Sequence, residues 1–168
     1  MKKLLLSSAL AATLSVSAMA DSYLGAGVAY ESVTDADAGV ALVLNGGATV
    51  LDAGPGKIAV EGEFTYSVVS PSISVDSYYR SYDADITFMF IGAYAAYIYD
   101  ITPEFYVKPR LGLVYEDVDV SSASDSDIGL SFGIGAGYNV TKEISTYIDF
   151  TMMESDVYHT TLGVQYHF

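Results

Sequence analysis

After residue 20, apolar and polar residues alternate with a period of two along most of the chain. That period marks β-strands with two unlike faces. The first run sets Leu24, Ala26, Val28 and Tyr30 against Tyr23, Gly25, Gly27 and Ala29. The second, from about Gly39 to Leu51, keeps Val40, Leu42, Leu44, Ala48 and Val50 in phase. The third opposes Ile58, Val60, Phe64, Tyr66 and Val68 to Ala59, Glu61, Glu63, Thr65 and Ser67. The fourth groups Ile86, Phe88, Phe90, Tyr94, Ala96 and Ile98 against Asp85, Thr87, Met89, Ile91 and Tyr97. The fifth opposes Phe105, Val107, Leu111, Leu113 and Tyr115 to Tyr106, Lys108, Arg110, Gly112 and Val114. The sixth opposes Ile128, Leu130, Phe132, Ile134, Ala136 and Tyr138 to Gly129, Ser131, Gly133, Gly135 and Gly137. The seventh sets Ile144, Ile148, Phe150 and Met152 against Ser145, Tyr147, Asp149 and Thr151. The last sets Tyr158, Leu162, Val164, Tyr166 and Phe168 against His159, Thr161, Gly163, Gln165 and His167.

Most of these runs are longer than the roughly 5–6 residues of strands in soluble proteins. They suit the roughly 9–11 residues that a tilted strand needs to cross a bilayer. Their even number suits a closed bacterial barrel. The links alternate in length. Asp52 to Gly56, Asp100 to Glu104 and Asn139 to Lys142 are short and rich in turn residues. Glu31 to Ala38, Ser70 to Asp83, Asp117 to Asp127 and Met153 to Val157 are longer and polar, reading as solvated loops. The expected fold is an all-β, closed, eight-stranded, antiparallel up-and-down transmembrane β-barrel. Both termini would lie on the short-turn, periplasmic side, with four longer loops outside the cell.

The apolar face is too bulky for the interior of an eight-stranded barrel, whereas the opposite face is small or charged. The barrel therefore reads as inside-out, with apolar residues toward lipid. In hydrocarbon each unpaired backbone group is costly, so closure of the sheet supplies stability. Tyr30, Tyr66, Tyr115 and Tyr158 fall toward the loop ends of their runs. Tyr138, Tyr166, Phe105 and Phe168 fall toward the turn ends. These read as two interfacial aromatic belts.

Composition narrows the partners. Residues 1–20 carry Lys2 and Lys3, an apolar stretch to Val16 and the small-x-small site Ala18-Met19-Ala20. They read as a cleaved secretory signal peptide, leaving 21–168 as the barrel domain. That domain holds five bases (Lys57, Arg80, Lys108, Arg110 and Lys142) against 21 acids, a formal charge of −16. So acidic a chain argues against nucleic acid as a partner. Hydrophobic residues make up 51% of the chain, which argues against disorder. Absence of cysteine excludes disulfides and thiolate metal sites. No stretch of residues 21–168 approaches the roughly 18 apolar residues of a membrane helix.

The signal segment, the eight runs and the aromatic-ended strand Tyr158 to Phe168 resemble the small OmpA/OmpX-type outer-membrane β-barrels. The resemblance spans residues 21–168 and rests on pattern and on the terminal Tyr166-x-Phe168. It implies that Leu162, Val164, Tyr166 and Phe168 form the C-terminal signal read by the barrel assembly machinery. The chain departs from full-length OmpA in stopping at the last strand, with no peptidoglycan-binding domain expected.

On the expected inward face lie Glu61, Glu63, Lys108, Arg110 and Asp149. Charges removed from water must be paired, so Lys108 and Arg110 are expected to bridge the three acids. Tyr106 and Tyr147, or water, would complete the network. The cluster reads first as filler plugging the lumen and second as the gate of a narrow porin for small solutes or ions. A lipid-modifying enzyme around His159, with Thr160, Thr161, Ser155 and Asp156 nearby, is a third reading. It lacks a G-x-S-x-G nucleophile motif, so no enzyme is expected. No cofactor or metal is expected, the histidines being too few for zinc. The loop acids Glu31, Asp35, Asp37, Asp76, Asp83, Asp117, Asp119, Asp125, Asp127, Glu154 and Asp156 read as solvated, or as bridged by divalent cations to lipid phosphates. The expected partners are outer-membrane lipid and lipopolysaccharide, and the expected state is a monomer with structural or surface-interaction duties.

Overall fold

A computed structural model describes residues 21–33, 38–70, 72–77, 80–120, 123–153 and 157–168; the signal-peptide reading of residues 1–20 lies outside them. Every regular element among the described residues is a strand: β1 (Ser22–Val33), β2 (Gly39–Ala53), β3 (Gly56–Val69), β4 (Ser72–Ser77), β5 (Arg80–Asp100), β6 (Phe105–Val120), β7 (Ala123–Asn139), β8 (Ile144–Met153) and β9 (Val157–His167). Antiparallel pairing runs from β3 through β2 and β1 to β9, then through β8, β7 and β6 to β5. Pairing of β5 with β3 closes the ring, so eight strands form the barrel. β4 stands outside that ring and pairs with the first residues of β5.

The short turns are built from local chemistry. Ala53 pairs with Gly56 around Gly54-Pro55. Gly54 holds φ 61°, at the first central position where hairpins of type II′ place glycine. The other two turns repeat one device. Thr102 Oγ1 accepts from the backbone N–H of Glu104 and Phe105, as Thr141 Oγ1 does from Glu143 and Ile144. The start of β1 and the last residue meet here, where the Phe168 N–H donates to Ser22 O at 2.9 Å.

At the opposite end the strands outrun any bilayer. β5 has 21 residues, against the roughly 9–11 that a crossing needs. β4 and the start of β5 form one projecting hairpin, and β6 and β7 stay paired to Val120 and Ala123. The links read as loops from Ser70 to Asp83 and from Asp117 to Asp127 are thus largely sheet. Their serines and aspartates hide it, because they break the apolar alternation by which a strand is recognised.

Burial follows the alternation. On β8 the pattern is strict, with Ser145, Tyr147, Asp149, Thr151 and Met153 buried and the residues between exposed. Outside, Leu113, Ile134 and Leu162 are 55–67% exposed. One run is out of phase with the sequence reading. Phe90, Tyr94 and Ala96 are buried in the lumen, and Ala93 and Ala95 face outward. Register fixes this, since Tyr94 sits between inward Glu61 and Gly112. Both faces of β5 are apolar, so periodicity could not choose between them.

Pro109 leaves one local mark. The β5–β6 ladder is interrupted where Tyr97 and Ile98 face Pro109 and Lys108, while pairing to β7 is continuous. Proline has no N–H to give, and the missing donor faces β5.

Candidate functional site

The lumen is filled by large side chains seated on small ones. Four inward tyrosines each stand directly opposite a glycine on the next ring strand: Tyr23 on Gly47, Tyr94 on Gly112, Tyr106 on Gly137 and Tyr147 on Gly163. A Cβ on any of these glycines would strike the tyrosine ring. An eight-stranded barrel has room only for side chains, and this pairing uses it closely.

Among these tyrosines, Glu61 and Glu63 on β3, Lys108 and Arg110 on β6, and Asp149 on β8 converge. Lys108 Nζ donates to Glu61 Oε1 at 2.7 Å, and Arg110 Nη1 donates to Glu63 Oε2 at 2.7 Å. Arg110 Nη1 lies 3.6 Å from Glu61 Oε2. Asp149 Oδ2 lies 3.7 Å from Lys108 Nζ and 3.9 Å from Arg110 Nη1. Neither Asp149 oxygen has a hydrogen bond among the described residues. Arg110 does not grip one carboxylate with two parallel bonds; its Nη2 donates to Thr151 Oγ1 instead. Its guanidinium also lies 4.4 Å from the centre of the Tyr94 ring. All five charged side chains are buried. Such a network is favourable only where partners compensate for lost water.

The phenol that joins this network is Tyr23, which donates to Glu61. Tyr106 and Tyr147, the phenols expected from sequence, bond elsewhere. Tyr106 donates to Gln165 Oε1 at 3.1 Å, and the Tyr147 oxygen accepts from Asn45 Nδ2 at 2.8 Å. Tyr23, Tyr106, Lys108 and Gln165 form the floor of a cavity of about 800 Å³ at the short-turn mouth.

Toward the other end lies a second polar group. Glu31, expected in a solvated loop, is fully buried and faces inward beside His159. Its phase was readable, since Tyr23, Gly25, Gly27 and Ala29 lead to it by steps of two. Ser67 Oγ donates to Glu31 Oε2 at 2.7 Å. Ser155 and Asp156, and the loop acids Asp35, Asp37, Glu154 and the side chains of Asp76, Asp83, Asp119 and Asp125, lie outside what the structure describes. Asp127 is exposed. Among the described residues no group of three or more His, Cys, Asp or Glu side chains is arranged to hold a metal ion. Leu162, Val164 and Tyr166 on β9 and Phe168 just after it form one exposed, outward-facing row.

An apolar exterior with aromatic ends, a closed antiparallel ring and a charge cluster buried in its lumen define an outer-membrane β-barrel. The sequence profile of the outer membrane protein beta-barrel domain matches residues 4–168, and the chain belongs to that family. No curated protein matches the sequence. Among solved structures, OprG from Pseudomonas aeruginosa is similar with a TM-score of 0.70 at 15% identity, covering 89% of this chain and 96% of that one. Ail, the attachment invasion locus protein of Yersinia pestis, in complex with the heparin analogue sucrose octasulfate, gives 0.60 at 18%, covering 89% and 99%. Neisserial surface protein A gives 0.55 at 21%, covering 88% and 97%. At these identities the likeness is one of fold.

Proposed function

We propose that this protein is a monomeric barrel of the bacterial outer membrane, plugged along its lumen, that meets other molecules through the sheet projecting from its long-loop end. The carrying observation is where sheet remains outside the closed ring. β4 is the end of the strand order and, among the described residues, pairs with β5 alone, so it offers an edge to an added strand. The buried Glu61, Glu63, Lys108, Arg110 and Asp149 support the plug. The termini, at the short-turn end, would face the periplasm after removal of residues 1–20. Lipid and outer-leaflet lipopolysaccharide would surround the apolar band. The outward row of Leu162, Val164, Tyr166 and Phe168 at the end of the last strand supports a role in recognition by the barrel assembly machinery.

The lipid-modifying reading is not favoured, because His159 is 1% exposed and points into the lumen. The porin reading has the 800 Å³ mouth cavity in its favour, but that cavity ends on Tyr23, Tyr106 and Lys108. Planar-bilayer recording tests the plug: the purified barrel should show no steady channel, and steady wild-type conductance would restore the porin. Replacing Ser72–Ser77 by a glycine-serine linker tests the edge. The barrel should still shift on a gel when heated, while adhesion of expressing cells to protein-coated surfaces falls. Unchanged adhesion would remove the edge from the account.

A further inference from the structure

At the short-turn end the lumen opens into the cavity of about 800 Å³ that ends on Tyr23, Tyr106, Lys108 and Gln165. That volume lies within the roughly 300–1,000 Å³ of small-molecule sites. Four acids line it, each from a different segment: Asp21 before β1, Asp100 at the end of β5, Glu104 in the β5–β6 turn and Glu143 in the β7–β8 turn. Two lysines oppose them at the mouth. Lys57 is tied to Asp21 at 3.0 Å, and Lys142 has no ion pair among the described residues. Glu104 and Glu143 each take one hydroxyl hydrogen on Oε2, from Thr102 and Thr141, which leaves Oε1 of each to a ligand. The mouth is net negative, and a cleft lined by one sign of charge concentrates ions of the other. A second observation, deeper in the lumen, calls for the same ligand charge. The plug sets Glu61, Glu63 and Asp149 against only Lys108 and Arg110, all of them buried. It carries one negative charge in excess. Asp149 is 1% exposed, and neither of its oxygens accepts a hydrogen bond among the described residues. Its nearest cation, Lys108 Nζ at 3.7 Å, is committed to Glu61 at 2.7 Å. An uncompensated buried charge is costly. Lys108 also belongs to the cavity floor, so a cation held in the cavity would lie one residue from that excess charge.

We propose that this cavity is a binding site for a linear polyamine, a chain of ammonium groups joined by short methylene spacers. The acids do not converge as metal ligands do, since among the described residues no three are arranged to hold an ion. Carboxylates spread over four segments around one mouth suit a ligand whose charges are also spread along its length. The methylene spacers would pack against Ile98 and against the rings of Tyr23, Tyr106 and His167, and aromatic faces attract ammonium groups. The plug closes the far end, so the ligand enters and leaves by the same mouth. Its positive charge offsets both the acids at the mouth and the excess charge behind the floor. Nothing in this site involves the β4 edge, so either idea stands or falls without the other.

The test is calorimetric titration of the full barrel, in uncharged detergent micelles at low salt, with spermidine. The wild type should show one saturable site. Replacing both Glu104→Gln and Glu143→Gln should weaken it about tenfold, as expected for two partly exposed charge contacts. Lys142→Gln should tighten it. Asp149→Asn removes the excess charge of the plug without touching the cavity wall, and should weaken binding about threefold through the field alone. Asp127→Asn removes the same charge from an exposed position at the long-loop end and should leave the affinity unchanged. The heat-shifted gel band reports folding of each variant. Should Asp149→Asn not fold, the changes at Glu104, Glu143 and Lys142 decide, because those side chains are exposed in turns. The site is overturned by a wild type without saturable binding, by a Glu104→Gln/Glu143→Gln barrel that binds as the wild type does, or by weaker binding in Lys142→Gln. It is overturned equally by a folded Asp149→Asn barrel of unchanged affinity, or by a loss in Asp127→Asn as large as that at the mouth, which would mean attraction to any acidic surface.

Discussion

β7 and β5 wall the same lumen in opposite ways. β7 turns Gly137, Gly135, Gly133, Ser131 and Gly129 inward and so supplies almost no bulk. β5 turns Ala96, Tyr94 and Phe90 inward and supplies some of the largest buried rings. The difference is one of giving and receiving. A Cβ on Gly133 would meet Arg110, on Gly135 Asp149 and Lys108, and on Gly137 Tyr106. β7 is thus a groove in which neighbouring strands lay the plug, and β5 is the wall that presses on it, with Tyr94 against the Arg110 guanidinium. Charge placement in this barrel depends on glycine placement one strand away.

The comparison breaks most severely if the groove is emptied. Arg110→Ala removes the side chain that lies over Gly133, bonds Glu63 and Thr151, and carries the Tyr94 ring. Glu63 would be left buried without its cation, so unfolding in urea, read by loss of the heat-modifiable gel band, should show a loss of about 3–5 kcal/mol. A change near zero would mean that the cluster does not hold the lumen.

This pairing also explains what could be read in advance. Glu61, Glu63, Lys108, Arg110 and Asp149 stood out because a charge on the small face of an amphipathic strand has one place to go. The strands of the ring were legible for the same reason, as two unlike faces leave one orientation. β5 was not, because Phe90 and Tyr94 on one side and Ile91 and Ala93 on the other satisfy lipid and lumen equally well. Its orientation is set by register against Glu61 and Gly112, a non-local fact. Glu31 was hidden differently. Its phase was correct, but its charge and the polar residues after it mimic a loop, and its partners Ser67 and His159 lie 36 and 128 positions away.

Filling the groove should cost less than emptying it. Gly133→Val places carbon where Arg110 Nε and Cγ now lie, within 2.8–2.9 Å of the new Cβ. Arg110 must then shift while still tied to Glu63, and overpacking of this kind costs about 1–3 kcal/mol. The two changes should not add. Once Arg110→Ala has vacated the space, Gly133→Val should cost clearly less than it does in the wild type, because residues in contact couple. Full additivity in that cycle would show that glycine and arginine do not share the space.

The finest probe acts on the β5 side. Tyr94→Phe keeps the ring over Gly112 and against Arg110, and removes only the hydroxyl that shares a 3.3 Å bond with Ser131 on β7. Ser131 retains its own bond to Met152 O at 3.2 Å, so no donor is stranded. The loss should sit at the low end for a neutral hydrogen bond, about 0.5–1 kcal/mol in the same urea titration. Tyr94→Leu, which also removes the ring face from Arg110, should cost more, since a cation–π contact at a desolvated site adds about 2 kcal/mol. If the two variants were equally stable, β5 would be pressing on the plug through volume alone, and the aromatic character of that wall would carry no electrostatic part of the contrast with β7.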